Sequence, residues 1–362
     1  MLTVAFYHFI LYSSTLFLWI GEKVSNKLMG KFFVVFSFFV IFLPSALRYG
    51  VGTDFFSYIE LYENSDRENH LDFGFKIINL FLNSLGAHPQ WAIAFYAFIF
   101  LFVAYLGIPK SCKCLFLFVL FLTLWFPSLN IVRQAIAVSF SILAFKFLWN
   151  NKFIYFLLAI VIGSSIHSSI LVLIPLAVMA YFLNEDFLRK KIIIFSMFLV
   201  IFIALFFPSV FFDVVRNSLL ILKMDAYANY FVYYNHFVKS GGGNIMIILK
   251  IFFCFFAIFV LSKKSSEHYA YRYMIFLFFM YGFSLALSVH IVIFSRMSYI
   301  FISCLVCGIP LIVSKCKSNI LINFFTYIFI CALMASFFKD SLGIPTEYND
   351  PMLNPYHSVF AQ

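Results

Sequence analysis

The chain has 362 residues, 64% of them hydrophobic and only 11% charged, with a formal net charge of +10. Apolar runs long enough to span a hydrocarbon core recur along it, which excludes a water-soluble globular domain and points to an all-α, polytopic membrane protein. The positive balance concentrates on one set of loops, where it acts as an insertion signal and a contact for membrane lipids, and it implies no nucleic-acid partner.

In chain order the apolar stretches predict about twelve transmembrane helices, at 4–20, 32–47, 90–108, 115–131, 132–149, 153–167, 168–183, 192–212, 245–262, 273–294, 297–314 and 320–338. The first lacks a basic n-region and a small-residue cleavage site, so Val4 to Ile20 reads as a retained span. The stretch 71–86 is apolar but short, and reads as an interfacial or re-entrant helix. Alternating the spans collects fifteen basic residues on one face against four acids, Glu22, Glu185, Asp186 and Glu267. By the positive-inside rule that face is cytoplasmic. The longer segments 48–89 and 213–244 and the tail 339–362 then fall on the outer side, with five of the seven arginines: Arg48, Arg67, Arg133, Arg216 and Arg296. Neither an internal repeat nor a soluble domain is evident, so residues 1–362 read as a single integral membrane domain. The seven cysteines lie mostly in or beside spans and serve as small apolar residues. Neither Cys112 and Cys114 nor Cys304 and Cys307 has a second ligand pair at zinc-like spacing, so no metal and no cofactor is expected.

The polar residues able to do chemistry cluster at the outer ends of spans. Arg48-Tyr-Gly-Val-Gly52-Thr53-Asp54-Phe-Phe-Ser-Tyr58 follows the second span, and its glycines allow close backbone approach. Arg133-Gln134 opens the 132–149 span, His167 sits among serines at a hairpin tip, and Arg296 occupies another tip. Tyr227, Tyr230 and Tyr234 would share one helical face on which sugar rings could stack, or would belong to an interfacial aromatic belt. Tyr356 and His357 close the tail. Arg48 at a helix end could snorkel, and His167 could simply bond its flanking serines. Arg133 and Arg296, with no acid adjacent in sequence, carry an insertion cost of about 2.5–3.5 kcal/mol at a span centre and less toward the interface. An anionic partner would offset that cost, and guanidinium forks suit a pyrophosphate.

The Arg48–Tyr58 segment, Arg133-Gln134-Ala-Ile-Ala, Ile166-His167-Ser168-Ser169 and Pro355-Tyr356, in this order and spacing, resemble the EpsG family, the Wzy-like membrane polymerases of O-antigen and exopolysaccharide repeat units. Two departures stand out: Phe55 follows Asp54 where the family often has Tyr, and Asp72-Phe-Gly resembles a family segment that contains Glu. The resemblance implies a glycosyltransferase acting on polyprenyl-pyrophosphate-linked oligosaccharides at the periplasmic or exterior face of a bacterial inner membrane. Arg133, Arg296 and Arg48 would neutralise the pyrophosphate leaving group, and His167 or Asp54 would take the acceptor proton. Gly52, Thr53, Tyr58, Gln134, Tyr227, Tyr230, Tyr234 and Tyr356 would bind substrate. A chain-length regulator and a flippase of the same pathway are the implied partners. Three alternatives stand beside this reading. An O-antigen ligase would share the chemistry. A transporter would fit the span count, although ion-coupled carriers bury acids near the bilayer centre and here the acids map to loops or interfaces. A structural subunit of an export complex would leave the outer arginines unexplained.

Overall fold

The computed structural model describes residues 2–66, 71–184, 186–221, 245–291, 293–343 and 352–361. It is all-helical, at 80% helix with no strand among the described residues. The helices are α1 (Leu2–Lys23), α2 (Lys27–Leu47), α3 (Phe55–Glu63), α4 (Phe73–Ser84), α5 (Pro89–Leu106), α6 (Lys113–Ser128), α7 (Val132–Trp149) and α8 (Phe153–Ser164). They continue as α9 (Ser168–Phe182, opening as a 3₁₀ turn), α10 (Lys191–Phe206), α11 (Pro208–Ile221), α12 (Ile245–Ser262), α13 (Tyr269–Ser288), α14 (Ile293–Ile300), α15 (Ser303–Lys315) and α16 (Ile320–Ser341).

Seven of these, α1, α2, α5, α7, α12, α13 and α16, are long and apolar enough to cross a membrane, and the count reaches nine if the bent pairs α10–α11 and α14–α15 are each one span. The chain is a multi-pass membrane protein. The other three stretches expected to span, α6, α8 and α9, are apolar helices of 10–17 residues. They stop short for local reasons. At the end of α8 the Ser164 and Ser165 hydroxyls turn back onto Val161 O and Ile162 O. Pro127 and the Asn130 turn end α6, whose middle turn, Phe121–Trp125, is π-helical. The 192–212 span breaks at Phe207, because Pro208 disfavours helical geometry before it and Phe207 adopts φ −131. The chain turns there by 93°. Large apolar side chains such as Phe9, Trp19, Phe32, Phe39 and Phe102 point outward, a surface matched to hydrocarbon.

The described residues group into two compact units, Met1–Ile174 with Leu305–Gln362, and Pro175–Cys304. In the first, α1 and α2 form a hairpin, α5 packs on α2 and α7, and α7 pairs with α8. Hydroxyls join these helices. Ser37 Oγ donates to Ser14 O at 2.7 Å, which leaves Tyr105 to donate to Ser37 at 2.9 Å. Trp125 Nε1 donates to Ser45 Oγ at 2.9 Å, fixing α6 to α2. In the second unit α12 and α13 form a hairpin and α10 packs on α13. There Arg272 is buried, with Nε donating to Ala180 O at 2.7 Å and Nη1 to Ser265 O at 3.1 Å.

The segment 48–89 holds the two short helices α3 and α4. Tyr62 OH donates to Ala87 O at 2.6 Å and Asn83 Nδ2 to Tyr62 O at 2.8 Å, so α3, α4 and the turn after them are tied together. One face of α4 buries Phe75, Asn79 and Leu82, while Phe73, Ile77, Leu80 and Phe81 are exposed on the other. The tail folds back over this end. Tyr7 OH donates to Leu353 O, Tyr356 OH to Pro44 O, Tyr49 N to His357 O and Gly52 N to Met352 O, and Arg48 bridges Ser358.

Candidate active site

The site is built on the loop that follows α2. Arg48 caps that helix with extended backbone, and its side chain turns inward, leaving the residue only 3% exposed. Its Nη1 donates to Val51 O at 2.7 Å and also to Leu129 O, and the guanidinium lies 5.5 Å from the Phe55 ring centroid. The buried cation thus braces the loop against the turn between α6 and α7. Gly52 completes that contact. It has φ +97, and a Cβ there would sit 2.6 Å from Asn130 Oδ1 and 2.7 Å from Leu129 O, so only glycine fits. Beyond it Thr53 is exposed, with Oγ1 at 3.3 Å from both Asp54 Oδ1 and Asn130 Oδ1. Asp54 is half-buried at the start of α3, and its carboxylate makes no capping bond.

One turn into α3, Tyr58 is buried with its hydroxyl 3.5 Å from the backbone N–H of Arg133. Arg133 lies in the first turn of α7, with Nη1 3.8 Å from Asp72 Oδ2 and its guanidinium 5.7 Å from the Phe75 ring centroid. Asp72 precedes α4 but does not cap it. Instead Oδ1 accepts the Ser168 N–H at 3.2 Å, across 96 residues of sequence, and Oδ2 lies 3.6 Å from His167 Nδ1. The α4 start reaches the His167 turn because Gly74 lets the two backbones meet. Its N–H donates to Ser165 O at 2.6 Å, and a Cβ there would be 2.9 Å from that same oxygen. Three helix ends therefore converge, and one carboxylate stands between a guanidinium and an imidazole.

The cluster is partly enclosed: the Arg133, Asp72 and His167 side chains are 29%, 21% and 29% exposed. Burial lowers the His167 pKa below its ordinary value, with Arg133 adding to the effect and Asp72 opposing it. The imidazole is therefore neutral near pH 7. Its Nδ1 is buried and faces the Asp72 carboxylate at 3.6 Å, and among the described residues it has no nearer partner. Burial raises the Tyr58 phenol, while Arg133 acts the other way. Arg48 and Arg133 both act electrostatically on Tyr58, which stands between the brace and the cluster. Chemically, such a set can hold an imidazole by one nitrogen, leave the other for a proton, and present a guanidinium to an anion. Among the described residues no group of three or more His, Cys, Asp and Glu is placed to hold a metal ion.

Of the site residues expected from sequence, the fold brings Tyr58, Arg133 and His167 together, with Gly52, Thr53 and Asp54 on the adjoining loop. Gln134 is buried beside Arg133 in α7, and Tyr356 is half-buried with its hydroxyl on Pro44 O. Arg48 is buried beneath the loop, its Nη1 on the Val51 and Leu129 carbonyls. Arg296 is exposed on α14, in the second unit. Tyr227, Tyr230 and Tyr234 lie outside the described residues. Asp72 gains a central position that its sequence neighbourhood suggested only through the resemblance of Asp72-Phe-Gly to a family segment.

Compared with known protein families, residues 31–356 match the EpsG family, a stretch that takes in the Arg48 loop, Asp72, Arg133, His167 and Tyr356. No curated protein and no solved structure matches the chain. With nine-tenths of its length matched, the chain belongs to the EpsG family.

Proposed function

We propose that this protein is a Wzy-like polysaccharide polymerase, which joins polyprenyl-pyrophosphate-linked oligosaccharide repeat units by glycosyl transfer at the outer face of the bacterial inner membrane. The observation that carries the reading is the Arg133–Asp72–His167 cluster in a multi-pass member of the EpsG family. In this reading all twelve apolar stretches cross the bilayer, the exposed apolar face of α4 rests in the outer interface, and residues 1–362 act as one membrane domain. A chain-length regulator and a flippase would work beside it.

His167 Nε2 takes the proton from the attacking hydroxyl of the incoming unit. The new bond forms between that oxygen and the anomeric carbon of the growing chain. The bond from that carbon to the pyrophosphate oxygen breaks, and polyprenyl pyrophosphate leaves with the electron pair. Asp72 holds the imidazole by Nδ1 and stabilises the imidazolium as it forms. Arg133 neutralises the leaving group, each charged hydrogen bond contributing about 1.5–3 kcal/mol. Asp54, Thr53 and Gly52 orient the acceptor, Tyr58 and Gln134 shape the floor, and Tyr356 contacts sugar. Arg48 supports the loop from beneath. The test is the surface glycan ladder of an Arg133→Ala strain. Single repeat units with no polymer, at normal protein level, are expected. Long polymer in that strain would refute the leaving-group role, and absence of even single repeats would point to a ligase or flippase.

A further inference from the structure

The first unit contains a second polar site, at the opposite ends of α5 and α7 from the His167 cluster. A cavity of about 250 Å³ opens between the loop after α5, the end of α7 and the end of α15. Lys110, Lys146 and Lys315 line it with Ser111, Asn150 and Ser314, and no acid is among the lining residues. Phe145, Cys307, Pro310 and Leu311 line the remainder. Two of the lysines are positioned. Lys146 Nζ donates to Leu106 O at 2.7 Å, which leaves two of its three protons to point elsewhere. Lys315 Nζ stands 5.5 Å from the Trp149 ring centroid, an interfacial aromatic. Lys110 is close enough to Lys146 to act on it as a like charge. Three cations lining one cavity with no acid among its lining residues repel one another, and an anion between them relieves that cost.

We propose that this cavity binds the phosphate-bearing headgroup of an anionic phospholipid from the leaflet at the lysine-rich end of the bundle. The polar mouth and apolar floor match the two ends of such a lipid: the ammonium groups take the phosphate oxygens, and the apolar wall receives the start of an acyl chain. A soluble phosphate would match the mouth alone. The inference is independent of the glycosyl-transfer reading, because none of these residues belongs to the Arg133–Asp72–His167 site.

The test uses the full chain in nanodiscs of phosphatidylcholine with and without phosphatidylglycerol, with retained lipid read by native mass spectrometry. Phosphatidylglycerol should be retained selectively. The paired variant Lys110→Gln and Lys315→Gln, both exposed in the fold, should weaken retention about 25-fold, at about fivefold per lysine. The control pair Lys27→Gln and Lys31→Gln, exposed lysines that do not line the cavity, should leave it unchanged. Ser314→Trp, which fills the mouth without altering charge, should also release the lipid. Equal loss in both lysine pairs would mean diffuse surface attraction and overturn the proposal. Displacement of the lipid by inorganic phosphate alone would make it a free-phosphate site and overturn the lipid source, and so would lipid retention in Ser314→Trp.

Discussion

Replacing Asp72 with Asn isolates the charge at the centre of the cluster. The amide oxygen can still accept the Ser168 N–H, now at 3.2 Å from Oδ1, so the turn that carries His167 keeps its tether. What is lost is the attraction between a carboxylate and an imidazolium 3.6 Å away. At an effective dielectric constant of 20 that attraction is about 5 kcal/mol. Water reaches both groups, whose side chains are 21% and 29% exposed, so screening brings it down to about 1.5–3 kcal/mol, the range of a charged hydrogen bond. In the proposed mechanism the imidazolium exists only once the acceptor proton has moved, so the loss would fall on the chemical step. The turnover number should drop about 10- to 150-fold. Because Asp72 raises the His167 pKa, its removal should also move the acid limb of the pH–rate profile to lower pH. Arg133, freed from its neighbour at 3.8 Å, should hold the lipid pyrophosphate at least as well, leaving KM unchanged or lower. Polymerisation of a purified lipid-linked repeat unit, followed from pH 5 to 8 in membranes matched for protein, measures all three. An Asp72→Asn enzyme with wild-type turnover and an unmoved acid limb would refute the role given to this carboxylate.

Further outcomes follow from the same geometry. Arg133→Lys should retain a small part of the polymerising activity, because it keeps the charge but not the two-pronged geometry, whereas Arg133→Ala should retain none; polymer yield in matched membranes separates them. Gly52→Ala should destabilise the protein by about 2–3 kcal/mol, from strain at φ +97 and contact with Asn130 and Leu129. Gly86→Ala, at φ +65 with nothing within 4 Å, should cost about 1 kcal/mol, and thermal unfolding in detergent compares the two. Arg48→Met leaves Val51 O and Leu129 O unpaired, at about 1–3 kcal/mol each, and should lower the amount of folded protein in the membrane rather than the activity per folded molecule. Stability should also depend on pH through His167. Its folded pKa lies below the unfolded value, so the unfolded chain binds the proton more readily and stability falls as pH drops below the ordinary histidine range. That acid-side loss, read as a thermal midpoint at pH 5.5 against 7.5, should shrink in His167→Gln.

Much of the helical plan was legible from hydropathy and charge. The spans at 132–149 and 245–262 coincide with α7 and α12 to the residue, because charged, amide or glycine residues bound both. Hydropathy did not reveal where an apolar run stops being one helix. The expected span 297–314 is divided between α14 and α15, and 192–212 ends at Pro208, whose effect depends on local backbone rather than on mean apolarity. The site was half visible. Arg133, His167 and Tyr58 stood out as polar residues beside apolar spans. Asp72 did not, since its partners lie far along the chain and the contact that brings them near is a glycine–serine backbone approach at Gly74 and Ser165. Arg48 was conspicuous for the same reason as Arg133, but its inward turn depends on two carbonyls that only the folded chain presents.

The clasp between the Arg48 loop and the tail has a bearing on biogenesis. Gly52 meets Met352, and Arg48 meets Ser358, some of the widest sequence separations the chain contains. The loop is synthesised early, yet its partners emerge from the ribosome only after α16 has been made. A nascent chain stalled before residue 352 would lack the strap that seats the Arg48 loop.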